Sequence, residues 1–206
     1  MATTTKNICI FGDSIAYGAW DGQGGWVDRI RQFLHDRTLA SRFTDYYFVY
    51  HLGIPGDTAA DILRRLSVEA RAREPHLIIF AVGINDARWQ SIQKNPKVPA
   101  DEFIGNIKKL IAEARLHAHE ILFIGLTPVD ESKTMPFEEN TYFENSRITK
   151  YNEMIKTICQ QEKVQFVDMA GILDVAHDLE DGLHPNEQGH EKMFEAIKAW
   201  LEKNGA

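Results

Sequence analysis

Cysteine is scarce in this sequence, with only Cys9 and Cys159 among 206 residues. Two thiols are too few for the disulfide framework of a small secreted domain. Cys9 falls in a predicted core strand and Cys159 on the apolar side of a predicted helix, so we expect two buried free thiols. Free thiols are typical of a reducing compartment, and the sequence predicts a cytoplasmic location.

Long hydrophobic runs are also missing. No stretch approaches the ~20 continuous apolar residues that a membrane-spanning helix needs. The polar segment 1–6 is followed by an apolar run that is too short for the core of a signal peptide. We therefore expect neither a membrane span nor a secretory leader in this chain.

Positive charge is in deficit, since 23 Lys and Arg residues face 30 Asp and Glu residues and leave a net charge of −7 at pH 7. Binding to nucleic acid needs clustered cations opposite the phosphates, so we expect no nucleic-acid partner. The length suits one domain with a large core, which we assign to residues 1–206.

Apolar runs rich in β-branched and aromatic residues alternate with segments of helical periodicity. The predicted strands are 8–11, 47–51, 77–82, 121–126 and 164–167. Several are apolar at nearly every position, as expected for parallel strands that are covered on both faces. The alternating order predicts an α/β fold, with a parallel sheet between two layers of helices and right-handed crossovers.

Five helices are indicated by apolar residues three and four positions apart. Their stripes are Trp26, Ile30, Phe33 and Leu34; Ile62, Leu66 and Ala70; Phe103, Ile107, Leu110, Ile111 and Ala114; Ile148, Tyr151, Ile155 and Ile158; and Phe194, Ile197, Trp200 and Leu201. Thr58 with Asp61 predicts a capped start for the second helix, and Asn186 predicts an N-cap for the fifth. Segments 88–99 and 129–142 are read as irregular loops that follow strand ends and flank the functional site.

A serine stands at the end of the first predicted strand, where the apolar run ends in Gly12, Asp13 and Ser14. Open parallel sheets place their active sites at the carboxyl ends of strands. A serine hydroxyl is a weak nucleophile until a neighbouring base takes its proton. Gly-Asp-Ser is also a common turn sequence, so the position at a strand end is what indicates a nucleophile.

Near the other end of the chain, Asp181 precedes His184 by three residues in a polar loop. A carboxylate at this spacing reaches the ring Nδ1 and leaves Nε2 free to face a serine. The residues thus predict a catalytic set in which Ser14 is the nucleophile, His184 the base and Asp181 the orienting acid.

A metal cluster is the competing interpretation of the same loop. The potential ligands are Asp174, His177, Asp178, Asp181 and His184. Metal binding explains neither Ser14 nor Asn85, whereas a polar loop explains the carboxylates, so we predict no metal.

Two other strand ends supply hydrogen-bond donors. Residues 53–58 read Gly-Ile-Pro-Gly-Asp-Thr and residues 83–86 read Gly-Ile-Asn-Asp. A glycine N–H of the first segment and the side-chain amide of Asn85 are candidate donors to an oxyanion. Each loop alone is typical of an ordinary turn, and only the combination is specific.

The four blocks together resemble the SGNH, or GDSL-type, esterase and lipase family, which is named for a Ser, a Gly, an Asn and a His. Ser14, Gly56, Asn85 and His184 stand at these positions in order, and the resemblance spans nearly the whole chain. It implies a flavodoxin-like five-stranded αβα sandwich, the SGNH hydrolase fold. It also implies ester hydrolysis without metal or cofactor in a shallow, adaptable site, with the N–H groups of Ser14 and Gly56 and the Asn85 amide as the oxyanion donors.

The sequence departs from the family pattern at two positions. Ile15 replaces the usual leucine, a volume-conserving change that we expect to be silent. His51 stands where the family often has asparagine, which leaves open how the loop carrying Gly56 is supported.

The expected substrate is a small-molecule carboxylic ester, with thioesters as a further option. Short acyl groups such as acetyl on a sugar are favoured because the two irregular loops are polar and short. The alternative is lipase, lysophospholipase or thioesterase action on longer chains. The candidate pocket residues are Trp20, Trp89, Phe137 and Tyr142. There is equal reason to expect the two tryptophans to cap the core. A further option is a mobile lid formed by Phe137, Tyr142 and Phe143.

The alternative from another class of protein is a non-catalytic module that binds a carbohydrate or an acylated ligand. Such a module needs neither a base nor oxyanion donors, so the catalytic interpretation is preferred. Nucleotide binding is disfavoured because no phosphate-cradling glycine motif follows the first strand. The oligomeric state is not readable from the sequence.

Overall fold

The computed structural model describes residues 4–90 and 95–205. Its five-stranded sheet is parallel throughout, with strand order β2-β1-β3-β6-β7. A separate pair, β4 and β5, is antiparallel. The strands are β1 Thr4–Gly12, β2 Asp45–Gly53, β3 Leu77–Ala81, β4 Trp89–Gln90, β5 Asn95–Pro96, β6 Glu120–Ile124 and β7 Gln165–Val167.

Helices cover both faces of the sheet, which gives the three-layer fold expected from the sequence. The helices are α1 Ser14–Tyr17, α2 Gly25–Ala40, α3 Ala59–Arg71, α4 Ile84–Ala87, α5 Ala100–Ala114, α6 Glu131–Thr134, α7 Asn145–Glu162 and α8 Glu187–Lys203. Helix α2 packs on α8, while α3 packs on α5 and α5 packs on α7. Every residue of the five apolar stripes is buried except Phe33 and Trp200, which are half-buried.

A ladder of three phenylalanines sets the register of the central strands. Phe11, Phe80 and Phe123 are paired across β1, β3 and β6, and the centroids of neighbouring rings lie 5.9 and 4.9 Å apart. All three rings are fully buried, and each burial stabilises the fold by about 1.5–3 kcal/mol. The same register aligns Gly12 with Gly53 and Ala81, so the loops after three strands meet at one edge.

The predicted strand bounds were wrong at several ends. Strands β1 and β2 each begin earlier than predicted, because their polar first residues pair with one another, as Thr4 does with Asp45. Strand β3 stops before Val82, ahead of the turn at Gly83 with φ of 132°. Strand β6 covers residues 120–124 rather than 121–126. The N–H of Leu126 donates to the Asn152 side chain at 2.8 Å, not to a strand.

The two segments read as irregular loops contain regular structure. Segment 88–99 holds β4 and β5, although its residues 91–94 lie outside the described part of the chain, and segment 129–142 holds α6. Trp89 and Tyr142 join the two segments by a pair of backbone hydrogen bonds of 3.1 and 3.0 Å. Pairing between loops distant in sequence leaves no periodicity within either one, which is why the sequence did not indicate it.

Several local predictions are confirmed. Thr58 and Asp61 form a reciprocal capping box, and the Asn186 side chain accepts a hydrogen bond from the N–H of Gly189 at 3.1 Å. Cys9 and Cys159 are buried free thiols, and burial raises the pKa of each to about 12. Within residues 4–90 and 95–205, every helix is too short or too polar to cross a membrane.

Candidate active site

Ser14 lies at the carboxyl end of β1, where the chain turns directly into α1. A Cβ on Gly12 would lie 2.4 Å from the Cβ of Ala16, so only glycine allows this tight exit from the strand. The Asp13 side chain caps α1 by accepting the N–H of Ile15 at 2.9 Å. These contacts fix Ser14 as the first residue of the helix, at the edge of the sheet.

The loop before α8 brings Asp181 and His184 to the same edge. Asp181 Oδ1 accepts the backbone N–H groups of Leu183 and His184 at 3.0 and 2.8 Å, which folds the loop around the carboxylate. Asp181 Oδ2 lies 2.7 Å from His184 Nδ1, and His184 Nε2 lies 2.9 Å from Ser14 Oγ. The serine, the imidazole and the carboxylate thus form a continuous hydrogen-bonded line.

Two carboxyl groups near this line have pKa values that are shifted in opposite directions. Partial burial acts to raise the pKa of Asp181, but hydrogen bonds from the His184 ring and from two backbone N–H groups hold it well below its usual range. Complete burial raises the pKa of Asp13 to about 7. Asp181 therefore stays ionised over the whole neutral range, as an orienting partner for a histidine requires.

The loop after β2 presents Gly56 to the site with φ of +85°, and a Cβ built there would meet no atom within 4 Å. Arg65 fixes this loop through hydrogen bonds to the Asp57 carboxylate at 2.8 Å and to the carbonyl of Leu52 at 2.8 Å. Asn85 lies beside it on α4, and its Nδ2 donates to the carbonyl of Asp57 at 3.1 Å. Gly56 and Asn85 therefore face the same space as Ser14.

Sequence reasoning missed two residues that hold these loops. Arg65 is one, and the other is Asp86, whose carboxylate accepts the N–H of Ala59 at 3.1 Å and joins α4 to the start of α3. Burial raises the pKa of Asp86 to about 7. Asp86 directly follows Asn85 in the sequence, and that adjacency was the available signal.

A cleft of about 620 Å³ opens over Ser14. Its lining includes Trp20, Tyr17, Phe137 and Phe143 as aromatic groups and Arg88 and Glu138 as charged groups. Among the described residues, Arg88 has no carboxylate within ion-pair distance. The cleft thus combines an aromatic wall with the side chain of Arg88.

The structure separates the four candidate pocket residues into two pairs. Trp20 and Phe137 line the cleft, and both rings make edge contacts with the ring of His184, at centroid distances of 5.9 and 6.1 Å. Trp89 and Tyr142 instead stack on each other at 4.6 Å, and they are not among the described residues that line it. Their stacking reinforces the backbone pairing between the two loops.

The candidate metal ligands do not converge. Asp174 contacts His177 at 2.9 Å, Asp178 contacts Lys192 at 2.6 Å, and Asp181 is hydrogen-bonded to His184 at 2.7 Å. No group of three or more such side chains is placed to hold a metal ion in the described ranges.

His51, on β2, packs against α1 and α2. Its ring makes a tilted contact with Tyr17 at 6.1 Å, and its Nδ1 is 3.9 Å from Asp28. Burial lowers the pKa of His51, so the ring is neutral at pH 7. Its contacts are with α1 and α2.

A parallel sheet between two helix layers, with a serine, a histidine and a carboxylate in contact at its carboxyl edge, is an arrangement found in serine hydrolases of the three-layer αβα fold. This chain belongs to the GDSL-like lipase/acylhydrolase family, whose model matches residues 10–192. The protein is accordingly a carboxylic ester hydrolase of the SGNH/GDSL type.

Individual relatives agree with this assignment. The chain is 25% identical over 194 residues to the GDSL esterase/lipase CPRD49 of Arabidopsis thaliana, covering 88% of this chain and 73% of that protein. It is 30% identical over 235 residues to a multidomain esterase of Ruminococcus flavefaciens, covering 98% of this chain and 29% of the longer one.

A solved structure agrees in fold. A variant of Axe2, an acetyl xylan esterase from Geobacillus stearothermophilus, superimposes with a TM-score of 0.74 at 20% identity. The match covers 99% of this chain and 96% of that chain.

Proposed function

We propose that the protein is a serine esterase that hydrolyses small acyl esters through an acyl-enzyme on Ser14. The observation that carries this proposal is the line of two hydrogen bonds from Ser14 Oγ to His184 Nε2, at 2.9 Å, and from His184 Nδ1 to Asp181 Oδ2, at 2.7 Å. A nucleophile, a base and an orienting acid within hydrogen-bond reach are the parts that acyl transfer needs.

The proposed reaction has two halves. His184 Nε2 takes the Ser14 proton as Oγ attacks the ester carbonyl, and the proton then passes to the departing alcohol as the C–O bond breaks. Water, deprotonated by His184, attacks the acyl-enzyme and releases the acid and free Ser14. Asp181 keeps the Nδ1 proton in place and stabilises the imidazolium in both halves.

The tetrahedral intermediates carry negative charge on the former carbonyl oxygen. The N–H groups of Ser14 and Gly56 and the Asn85 amide are the proposed donors, since all three residues line the cleft. One of the two N–H groups on Asn85 Nδ2 donates to the carbonyl of Asp57, and the other is the proposed donor to the oxyanion.

Replacing Asn85 by alanine is expected to lower kcat by about 10²–10³-fold, because one preorganised oxyanion donor is lost. The KM for a small ester should change little, since the ground-state carbonyl makes a weaker bond to the amide. Steady-state kinetics, with the melting temperature as a fold control, check the result. A kcat within threefold of the wild-type value in a folded variant rules out this role for Asn85.

The cleft favours a small acyl group on a polar alcohol. Arg88 and Glu138 offer hydrogen bonds to hydroxyl groups, while Trp20 and Phe137 offer rings against which a sugar can pack. The similarity in fold to an acetyl xylan esterase supports the same substrate class. We therefore propose acetyl esters of carbohydrate alcohols as the preferred substrates.

A series of p-nitrophenyl esters from acetate to palmitate tests the acyl preference. The proposal expects kcat/KM to be highest at acetate and to fall with chain length. An optimum at long chains would instead support lipase- or thioesterase-type action. Absence of turnover at every length, with Ser14 inert to a fluorophosphonate, would support the binding-module alternative.

A further inference from the structure

We propose that Trp20 is a positioning residue for the Asp181–His184 pair, acting through its indole N–H. This inference rests on the proposed function, since it assigns Trp20 a part in aligning the base. Trp20 Nε1 lies 2.8 Å from Asp181 Oδ2 and 3.2 Å from His184 Nδ1. The indole ring meets the imidazole edge-on, at an interplanar angle of 84°.

The backbone at Trp20 adopts a conformation that tryptophan rarely takes. Its φ is +68°, at the third position of a turn closed by a hydrogen bond from the N–H of Asp21 to the carbonyl of Gly18 at 3.1 Å. Glycine and asparagine are the usual residues there. The side chain is 66% exposed, so burial does not offset this strain. Compared with glycine or asparagine at this position, tryptophan contributes the hydrogen bond from its indole N–H to Asp181.

The turn that carries Trp20 is firmly held. The Asp21 carboxylate accepts the N–H groups of Gln23 and Gly25 at 2.9 and 3.2 Å and forms an ion pair with Arg29 of α2. Arg29 also bonds Glu191 of α8 at 2.8 Å. These contacts tie the turn to both helices on this face of the sheet, so Trp20 is presented to the acid from a fixed support.

Trp20 completes the set of donors around the carboxylate. Oδ1 of Asp181 accepts the N–H groups of Leu183 and His184, and Oδ2 accepts the imidazole and the indole. With both oxygens doubly occupied, the carboxylate cannot rotate away from Nδ1. An indole nitrogen only donates, so when Nδ1 carries its proton the Trp20 N–H must point to Oδ2.

The same N–H acts on the charge of the ring. The partly positive hydrogen of this N–H lies beside Nδ1, and its hydrogen bond neutralises part of the negative charge on Oδ2. Both effects disfavour the imidazolium form of His184. Besides Asp181, the titratable groups Asp13 at the end of β1 and His190 on α8 interact electrostatically with His184. Both residues are present in the wild type and in every Trp20 variant, so a shift in the pH profile that the control variant does not show is assigned to the indole.

Two replacements of Trp20 test the inference. Trp20→Phe removes the N–H and part of the ring, whereas β-(3-benzothienyl)alanine at position 20 keeps the bicyclic ring and replaces the N–H with sulfur. For both, we expect the acid limb of kcat/KM for p-nitrophenyl acetate to move up by about 0.5–1 pH unit, the size of one hydrogen bond. We also expect kcat to fall about 3–10-fold with KM little changed. Trp200→Phe, on the part of α8 remote from the cleft, is the matched control.

Each other outcome overturns the inference. A raised KM with an unmoved acid limb would leave Trp20 only the role of packing against substrate, and a lowered melting temperature with an unmoved limb would make its role purely structural. Wild-type kinetics in both variants would leave the indole without any role. The Ser14→Ala variant separates this test from the proposed function, because its inactivity establishes the serine route whatever Trp20 does.

Discussion

Replacing Ser14 by alanine is expected to lower kcat for ester hydrolysis by about 10⁴–10⁶-fold, the range known for loss of a serine nucleophile. The variant keeps the oxyanion donors and the base but has no oxygen that can form the acyl bond. Alanine is a good helix former, so the first turn of α1 should persist. Initial rates with p-nitrophenyl acetate, measured beside the wild-type enzyme, give the ratio.

Ser146→Ala is the matched control for this substitution, since Ser146 lies on α7 and its hydroxyl donates to the side chain of Glu144 at 2.8 Å. It should retain wild-type turnover. A folded Ser14→Ala variant that keeps more than about 1% of wild-type kcat would remove Ser14 from the mechanism.

Replacing Asp181 by asparagine is expected to lower kcat by about 10⁴-fold, as for the equivalent change in serine proteases. Asparagine preserves shape but presents an amide that can donate to Nδ1. The ring then carries its proton on Nε2 and cannot accept the proton of Ser14. Because the Asp181 pKa is held below its usual range, the carboxylate is ionised at every pH where His184 can act as a base.

The loop offers a closely matched control for Asp181. Asp174 also precedes a histidine by three residues and contacts its Nδ1 at 2.9 Å, but this pair with His177 is exposed. Asp174→Asn should leave kcat within about twofold of wild type, because exposed pairs contribute little. Equal losses for the two substitutions would refute a specific role for Asp181.

The hydrogen-bonded line of Ser14, His184 and Asp181 was predictable because its parts are local. Asp181 and His184 are three residues apart, and Ser14 ends a strand whose apolar pattern is unambiguous. The position of a strand end in a parallel sheet then brings them together without any detailed packing argument. The capping box of Thr58 and the buried thiols followed from equally local rules.

Other parts of the site depend on contacts that no local pattern encodes. Trp20 reaches Asp181 across 161 positions of sequence, and only because a turn places it at positive φ. The pairing of Trp89 with Tyr142 also joins distant loops, so these residues read as pocket candidates rather than as partners. In physical terms, tertiary packing decides where an exposed aromatic side chain points.

The central claim is that Ser14 carries the acyl group, and trapping it covalently tests this most directly. We would treat the wild-type protein and the His184→Ala variant with a fluorophosphonate and map the adduct by mass spectrometry. The account predicts stoichiometric labelling of Ser14 in the wild type and strongly slowed labelling in the variant. Ester turnover that persists while Ser14 stays unmodified, or inactivation by an adduct on another residue, would contradict it.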